Sequence, residues 1–292
     1  MKNRRSIYYL VVTLIFLVIS LEYGCAIRTP IRGEAGTGEK PGFYLVGMGP
    51  GDTDLITMRG LKTIEDADLI VCSKSAQERL APYLEEKELL DGGSYRLSRY
   101  YGKDCQQFKG KEREECEKYT NKRNKLIEKI RKAIGEGKTV AVLGGGDPFI
   151  YGPSVWFLEE FADLDPMAVP GLSSFNAANA ALAKTVTSSK PTKSVILTIG
   201  YSPESHKIIE DLAVHKATMV IYMPRDLEDI IGRLSVHYPS ETPIALVSYA
   251  GYKEKERVIK GTLETILNRI GDKKELRLYL VYVGDFLTYC RK

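Results

Sequence analysis

Three stretches of this 292-residue sequence combine glycine, proline and small hydroxyl residues in patterns that ordinary packing does not require. They are Gly47-Met48-Gly49-Pro50-Gly51-Asp52, Gly144-Gly145-Gly146-Asp147-Pro148 and Val169-Pro170-Gly171-Leu172-Ser173-Ser174. Glycine leaves the main chain bare, so a ligand can approach it closely, and the cost is backbone entropy on folding. Three successive glycines after an apolar run imply that something benefits from the missing side chains. The chemistry available is binding and orientation by peptide groups, with a carboxylate at Asp52 or Asp147 to orient a ligand or handle a proton; no residue stands out as a catalytic base. The third stretch opens a small-residue run, Ser173–Ala183, that reads as a tightly packed helix. The N–H groups at its start suit a carboxylate, while Ser173 or Ser174 reads first as the N-cap.

Several familiar chemistries are excluded. A GxGxxG dinucleotide turn needs glycine where Asp52 stands, and Pro50 has no N–H for a pyrophosphate. No GK[ST] follows either glycine loop, which removes a phosphate-cradling P-loop. The five cysteines (Cys25, Cys72, Cys105, Cys116, Cys290) and three histidines (His206, His215, His237) show no CxxC or HExxH spacing, so no metal site is expected. The histidines read as structural or exposed, and Trp156 as core. The formal net charge of +4 is too small a surplus to argue for nucleic acid.

The elements that must position these loops follow a regular rhythm after Gly42. Apolar runs at Phe43–Val46, Leu69–Cys72, Thr139–Leu143 and Met167–Val169 read as strands, with helical spacing over Leu55–Ala67. A second series runs through Ser194–Ile199, Met219–Met223, Ile244–Tyr249 and Leu278–Val283, with helical stretches at Glu204–His215, Asp226–His237 and Leu263–Ile270. Strands alternating with helices predict α/β layers with mainly parallel sheets. The polar stretch Lys184–Lys193 divides them into α/β domains at 42–186 and 187–292, with a cleft between. Ligands of such sheets collect at the carboxyl ends of strands, where the glycine loops fall.

The amino terminus has the layout of an export signal: Lys2, Arg4 and Arg5 precede the apolar run Ile7–Leu21. Residues 1–25 read as a signal peptide or membrane anchor, and 26–41 as a flexible tether. Leu21-Glu22-Tyr23-Gly24-Cys25 resembles a lipobox with Glu22 and Tyr23 out of pattern, so cleavage with lipidation and an uncleaved anchor both stay open. Either way the chain is expected at a membrane with its globular part exported; without the leader it would be cytoplasmic. Residues 92–125 interrupt the rhythm with a polar, basic, tyrosine-rich insertion. Residues 99–138 hold 13 Lys or Arg against 7 Asp or Glu, either a solvated helix face or a basic rim for a polyanion. In an oxidising compartment Cys105 and Cys116 are spaced to close a disulfide across a local hairpin.

Taken in order, GMGPGDTDLIT, ADLIV, GGGDPFIYG, VPGLSSFNAANA, ATMVIYM, TPIALVSYA and GTLETI resemble the tetrapyrrole (corrin/porphyrin) methylases across about residues 42–284. The wording is most similar to the cobalt-precorrin-4 methyltransferase branch, although IGYSPES stands where that branch usually has an arginine- and glycine-containing segment. The resemblance implies S-adenosylmethionine as methyl donor, held in the cleft between two α/β domains. On this sequence it implies cofactor contacts at Pro50, Gly145, Gly146, Asp147, Ser173, Ser174, Met223 and Ala245, a tetrapyrrole partner in the trough above, and a homodimer. Export sits oddly with a cytosolic cofactor, so a non-catalytic tetrapyrrole- or corrinoid-binding protein on the same fold is the alternative.

Overall fold

The computed structural model describes residues 42–92, 95–188, 193–271 and 276–289. The apolar leader, the tether and Cys25 lie outside the described residues. Strands β1 (Phe43–Gly47), β2 (Leu69–Cys72), β3 (Glu88–Asp91), β4 (Val140–Gly144) and β5 (Met167–Val169) form one sheet in the order β3-β2-β4-β1-β5. Every pairing in it is parallel.

Its central strands are apolar throughout because both faces are covered, and successive side chains alternate between the two covers. Phe43, Leu45, Leu69, Val71, Val140 and Val142 face a core closed by α4 (Gly110–Gly135) and α5 (Trp156–Glu160), where Trp156 packs. Val46, Ile70, Cys72, Ala141 and Leu143 face α1 (Met58–Asp66) and α2 (Lys74–Leu80). Strand β3, ELLD, is mostly exposed and lies at the sheet edge.

The insertion folds back on this half. Helix α3 (Tyr95–Arg99) and the 3-10 turn Cys105–Gln107 lead into α4. The Cys105–Cys116 disulfide ties that turn to α4 across a Cα–Cα distance of 5.6 Å; the bond expected from the spacing forms, but against a helix and not across a hairpin. Arg123 of α4 is buried and donates to the Leu97 carbonyl at 2.9 Å and to Thr120 Oγ1 at 3.2 Å. Much of the local basic surplus is paired within the insertion and its neighbours, as in Arg113–Glu117 at 2.8 Å and Arg131–Asp163 at 2.8 Å.

The second sheet departs from the expectation. Strands β6 (Val195–Ile199), β7 (Thr218–Tyr222), β8 (Pro243–Ser248), β9 (Arg257–Thr262) and β10 (Tyr279–Val283) are ordered β6-β7-β10-β8-β9. Only β6 and β7 run parallel; β10 is antiparallel to both β7 and β8, and β9 is antiparallel to β8. The sheet is therefore mixed, because β8 and β9 are joined by a turn with no crossover helix to reverse the chain. One face packs on α7 (Pro203–Ala213), α8 (Leu227–Leu234) and the short α9 (Ile266–Arg269). The other carries Val220, Tyr222, Ala245, Val247, Leu280 and Tyr282, and receives Ala178 and Leu182 of α6 (Ser174–Leu182). The small residues of α6 thus have a packing reason: the helix that follows the first sheet lies against the second.

Candidate functional site

The strand-end loops meet. Met48 N donates to the Gly144 carbonyl at 2.8 Å, and Gly49 and Gly146 exchange a reciprocal pair of bonds at 3.2 and 3.1 Å. A Cβ on Gly47 would lie 2.5 Å from Gly171 N, so the third loop presses on the first. A fourth segment joins from the second half: Asp52 N donates to the Gly251 carbonyl at 2.9 Å, and Asp52 Oδ2 accepts from Lys253 N at 2.9 Å.

The glycines therefore do two different jobs. Gly47, Gly49, Gly51 and Gly171 admit main chain against main chain, since a Cβ at each would overlap backbone atoms. Gly145 has no atom within 4 Å of where its Cβ would stand, and Gly146 has only the Leu172 carbonyl at 3.8 Å. Bare main chain open to a guest is confined to this dipeptide, a narrower base than three equally open loops.

Above it lies a cavity of about 680 Å³, within the range of about 300–1,000 Å³ typical of small-molecule sites. Of the eight residues singled out in the sequence, Pro50, Gly145, Gly146, Asp147, Ser173, Ser174 and Met223 line it. Ala245 does not: it is fully buried in β8, its side chain in the core against α6. Ala250, past the end of that strand, reaches the cavity in its place. No described residue of the insertion lines it, so the described part of the basic stretch forms no rim here.

Local chemistry fixes the walls. Ser173 caps α6: its Oγ accepts from Phe175 N at 3.2 Å, while Asn176 Oδ1 accepts from Ser173 N at 2.9 Å. The same Oγ meets the Tyr222 hydroxyl at 2.9 Å across to the second sheet. Burial pushes the Tyr222 and Tyr151 phenols above their ordinary range, so both are neutral hydrogen-bonding walls, and Tyr151 donates to the Leu197 carbonyl at 3.1 Å. Arg79 anchors the first loop, donating to the Gly51 carbonyl at 2.7 Å and to that of Met48 at 3.3 Å; its buried Nε has no partner among the described residues. Asp147 Oδ1 accepts from Phe149 N at 3.0 Å, which shapes the turn after Gly146.

Four cavity residues that are not glycine hold left-handed backbone: Tyr151 (φ 54°), Met223 (φ 46°), Tyr249 (φ 50°) and Leu278 (φ 47°). Each such residue costs about 1–3 kcal/mol, and concentrations of them mark functional sites. Sequence reasoning missed this tyrosine and arginine wall (Tyr151, Tyr201, Tyr222, Arg225, Tyr249, Arg277). The available signal was position, since Tyr201, Arg225 and Tyr249 each follow the end of a strand.

The open Gly145–Gly146 backbone leaves a cradle that a Cβ would fill, and polar groups converge on it without a titrating nucleophile. Ser173 is committed as a cap; the Cys72 thiol is buried outside the cavity and pushed up to about 11. His206 is buried in the second half, its Nδ1 2.6 Å from Asp229 Oδ2 and its Nε2 3.1 Å from the Gly200 carbonyl. The arrangement fits a compact cofactor held by main chain and aligned against a second molecule.

Comparison with known proteins agrees with this geometry. Residues 42–267 match the family model of the Tetrapyrrole (Corrin/Porphyrin) Methylases. The chain is 31% identical over 254 residues to a cobalt-precorrin-4 C(11)-methyltransferase of Methanocaldococcus jannaschii, covering 84% of this chain and 87% of that one. It is also 31% identical to a uroporphyrinogen-III C-methyltransferase of Priestia megaterium, at 84% and 98% coverage. Among solved structures, a cobalt precorrin-4 methyltransferase superposes with a TM-score of 0.67 at 22% identity, over 86% of this chain and 99% of that chain. The uroporphyrin-III C-methyltransferase of Thermus thermophilus, solved with S-adenosyl homocysteine, gives 0.60 at 19% identity, over 84% and 98%. With the fold, the strand-end cradle and a family match over most of its length, the chain belongs to the tetrapyrrole (corrin/porphyrin) methylases, S-adenosylmethionine-dependent methyltransferases.

Proposed function

We propose that this chain methylates a ring carbon of a carboxylate-bearing tetrapyrrole of the precorrin or corrinoid type. The observation that carries the reading is the cavity between the two sheets, floored by the open Gly145–Gly146 main chain and walled by Ser173, Tyr222 and Met223. S-adenosylmethionine supplies a methyl group already activated by positive sulfur, so the protein has chiefly to align the reacting atoms. Holding reactants near contact in the right orientation can provide about 7–11 kcal/mol of a barrier.

In this assignment the bare main chain of Gly145 and Gly146, which leaves room for close approach, the cap of α6 and the segments Met223 and Ala250 hold the cofactor. The tyrosine wall lines the space above it. Incubation of the purified chain with S-adenosylmethionine and uroporphyrinogen III, followed by mass spectrometry, tests the reading: the expected product is heavier by methyl increments. Saturable S-adenosylhomocysteine binding without methylation of any tetrapyrrole offered would favour a carrier over an enzyme, and absence of cofactor binding would refute both.

The Cys105–Cys116 bond supports export of the globular part, since such bonds persist in oxidising compartments. It agrees with the basic and apolar residues of the leader. Fractionation of the native host with thiol labelling tests this: an exported chain has both sulfurs blocked, and a cytosolic chain with both labelled overturns it.

A further inference from the structure

Among the described residues, the arginines at the cavity differ in what they are free to do. Arg79 is held by two carbonyls, whereas Arg225 and Arg277 line the cavity, are exposed, and pair with no described carboxylate. Arg225 is the better built of the two. Its guanidinium carbon lies 4.0 Å from the ring centroid of Tyr201, itself a cavity residue with 43% of its surface exposed. A guanidinium resting over an aromatic ring still presents N–H groups at its edge, and that planar fork matches a carboxylate bidentately.

The stack is seated, not adventitious. Arg225 N donates to the Gly200 carbonyl at 2.7 Å, and Gly200 N donates to the Tyr222 carbonyl at 2.8 Å. The loop after β6 is thereby tied to the loop after β7, with the two stacked residues one on each. His206 Nε2 meets the same Gly200 carbonyl at 3.1 Å, and its Nδ1 meets Asp229, which Arg233 Nε holds at 3.0 Å. The His206 ring is thus held between the Gly200 carbonyl on one side and Asp229 on the other. Arg225 thus waits at the cavity with its conformation largely paid for, which strengthens capture of a ligand.

We propose that Arg225, stacked on Tyr201, is the specificity residue that captures a peripheral carboxylate of the methyl-accepting substrate, with His206 positioning it through Gly200. This rests on the reading of the substrate as a carboxylate-bearing tetrapyrrole. The test uses the intact chain with two probes, uroporphyrin III followed by absorbance and S-adenosylhomocysteine followed by calorimetry. Arg225→Met, at an exposed position that folding does not need, is expected to weaken uroporphyrin III binding at least about tenfold. It should also flatten the salt dependence of that binding and leave S-adenosylhomocysteine affinity within about twofold. Arg225→Lys keeps the charge but not the fork and should fall between; Tyr201→Leu should cost about 2- to 5-fold. Arg225→Met binding uroporphyrin III as the native chain does, or losing both probes equally, overturns the proposal. If the native chain binds S-adenosylhomocysteine but neither uroporphyrin III nor cobyrinic acid, the substrate reading itself falls, a result distinct from failure of Arg225 alone.

Discussion

Two glycine substitutions separate the two jobs assigned to the strand-end loops. Gly171→Ala places a methyl against the Gly146 carbonyl oxygen and within 2.8 Å of the Gly47 carbonyl carbon and oxygen. These are backbone atoms of two neighbouring strand ends and cannot swing away. Overpacking costs about 1–3 kcal/mol where side chains can adjust; against main chain we expect the upper end, about 3 kcal/mol, and a melting temperature lowered by about 6–12 °C. Gly145→Ala meets no protein atom within 4 Å, and Gly145 is not among the glycines with positive φ. Its stability should therefore change by no more than about 1 kcal/mol. The same methyl, however, projects where we place the cofactor. An intrusion of about 1–3 kcal/mol translates into about 5- to 150-fold weaker binding. Thermal unfolding and S-adenosylhomocysteine calorimetry on both variants read the two quantities independently. Native cofactor affinity in a folded Gly145→Ala would refute the placement of the open cradle, and an unchanged melting temperature in Gly171→Ala would refute the packing argument.

Two further outcomes follow from groups away from the cradle. The Asp229 carboxyl is held below its ordinary value of 3.8, first by its bond to His206 and then by Arg233. A depressed carboxylate stabilises the fold fully above its unfolded value and loses that contribution as the pH falls through the folded one. The melting-temperature gap between the native chain and Asp229→Asn should thus be full at about pH 5 and narrow below pH 3.8; a gap that persists unchanged at about pH 3 would count against the ion pair. Cleaving Cys105–Cys116, which closes a loop with a sequence separation of 11, should cost about 3 kcal/mol by loop-closure entropy. Cofactor affinity should hold, because no described residue of the insertion lines the cavity, and a parallel loss of binding on reduction would contradict that separation.

The alternation of apolar runs with helical stretches was legible because a strand buried on both faces, such as Val140–Gly144, must be apolar at every position. Strand direction was not legible, since the period of a strand is the same whichever way it runs. The available clue was the short, polar connection Tyr249–Glu256, too brief for a crossover helix. Strands β3 and β9 escaped notice because ELLD and RVIKGT are largely exposed or half-buried at sheet edges and carry no apolar run. In the site, glycine identity announced close approach but not what approaches. Only coordinates distinguish Gly145, open to the cavity, from Gly171, pressed on its neighbours. Ala245 was misplaced for a related reason: within TPIALVSYA the residue that reaches the cavity is the one beyond the strand end, Ala250.

Strand β10 has a consequence for how the molecule is made. It occupies the middle of its sheet, between β7 and β8, although it follows every other described strand in sequence. The first sheet uses only residues from Phe43 to Val169 and can assemble while the remainder is still being synthesised, as leading domains generally do. The other half cannot: until Tyr279–Val283 emerges from the ribosome, β7 and β8 have no neighbour to bridge them, and their unpaired edges stand open to solvent and to other chains. Loss of even the short stretch Tyr279–Val283 would therefore remove a keystone, leaving one half folded and the other prone to aggregation.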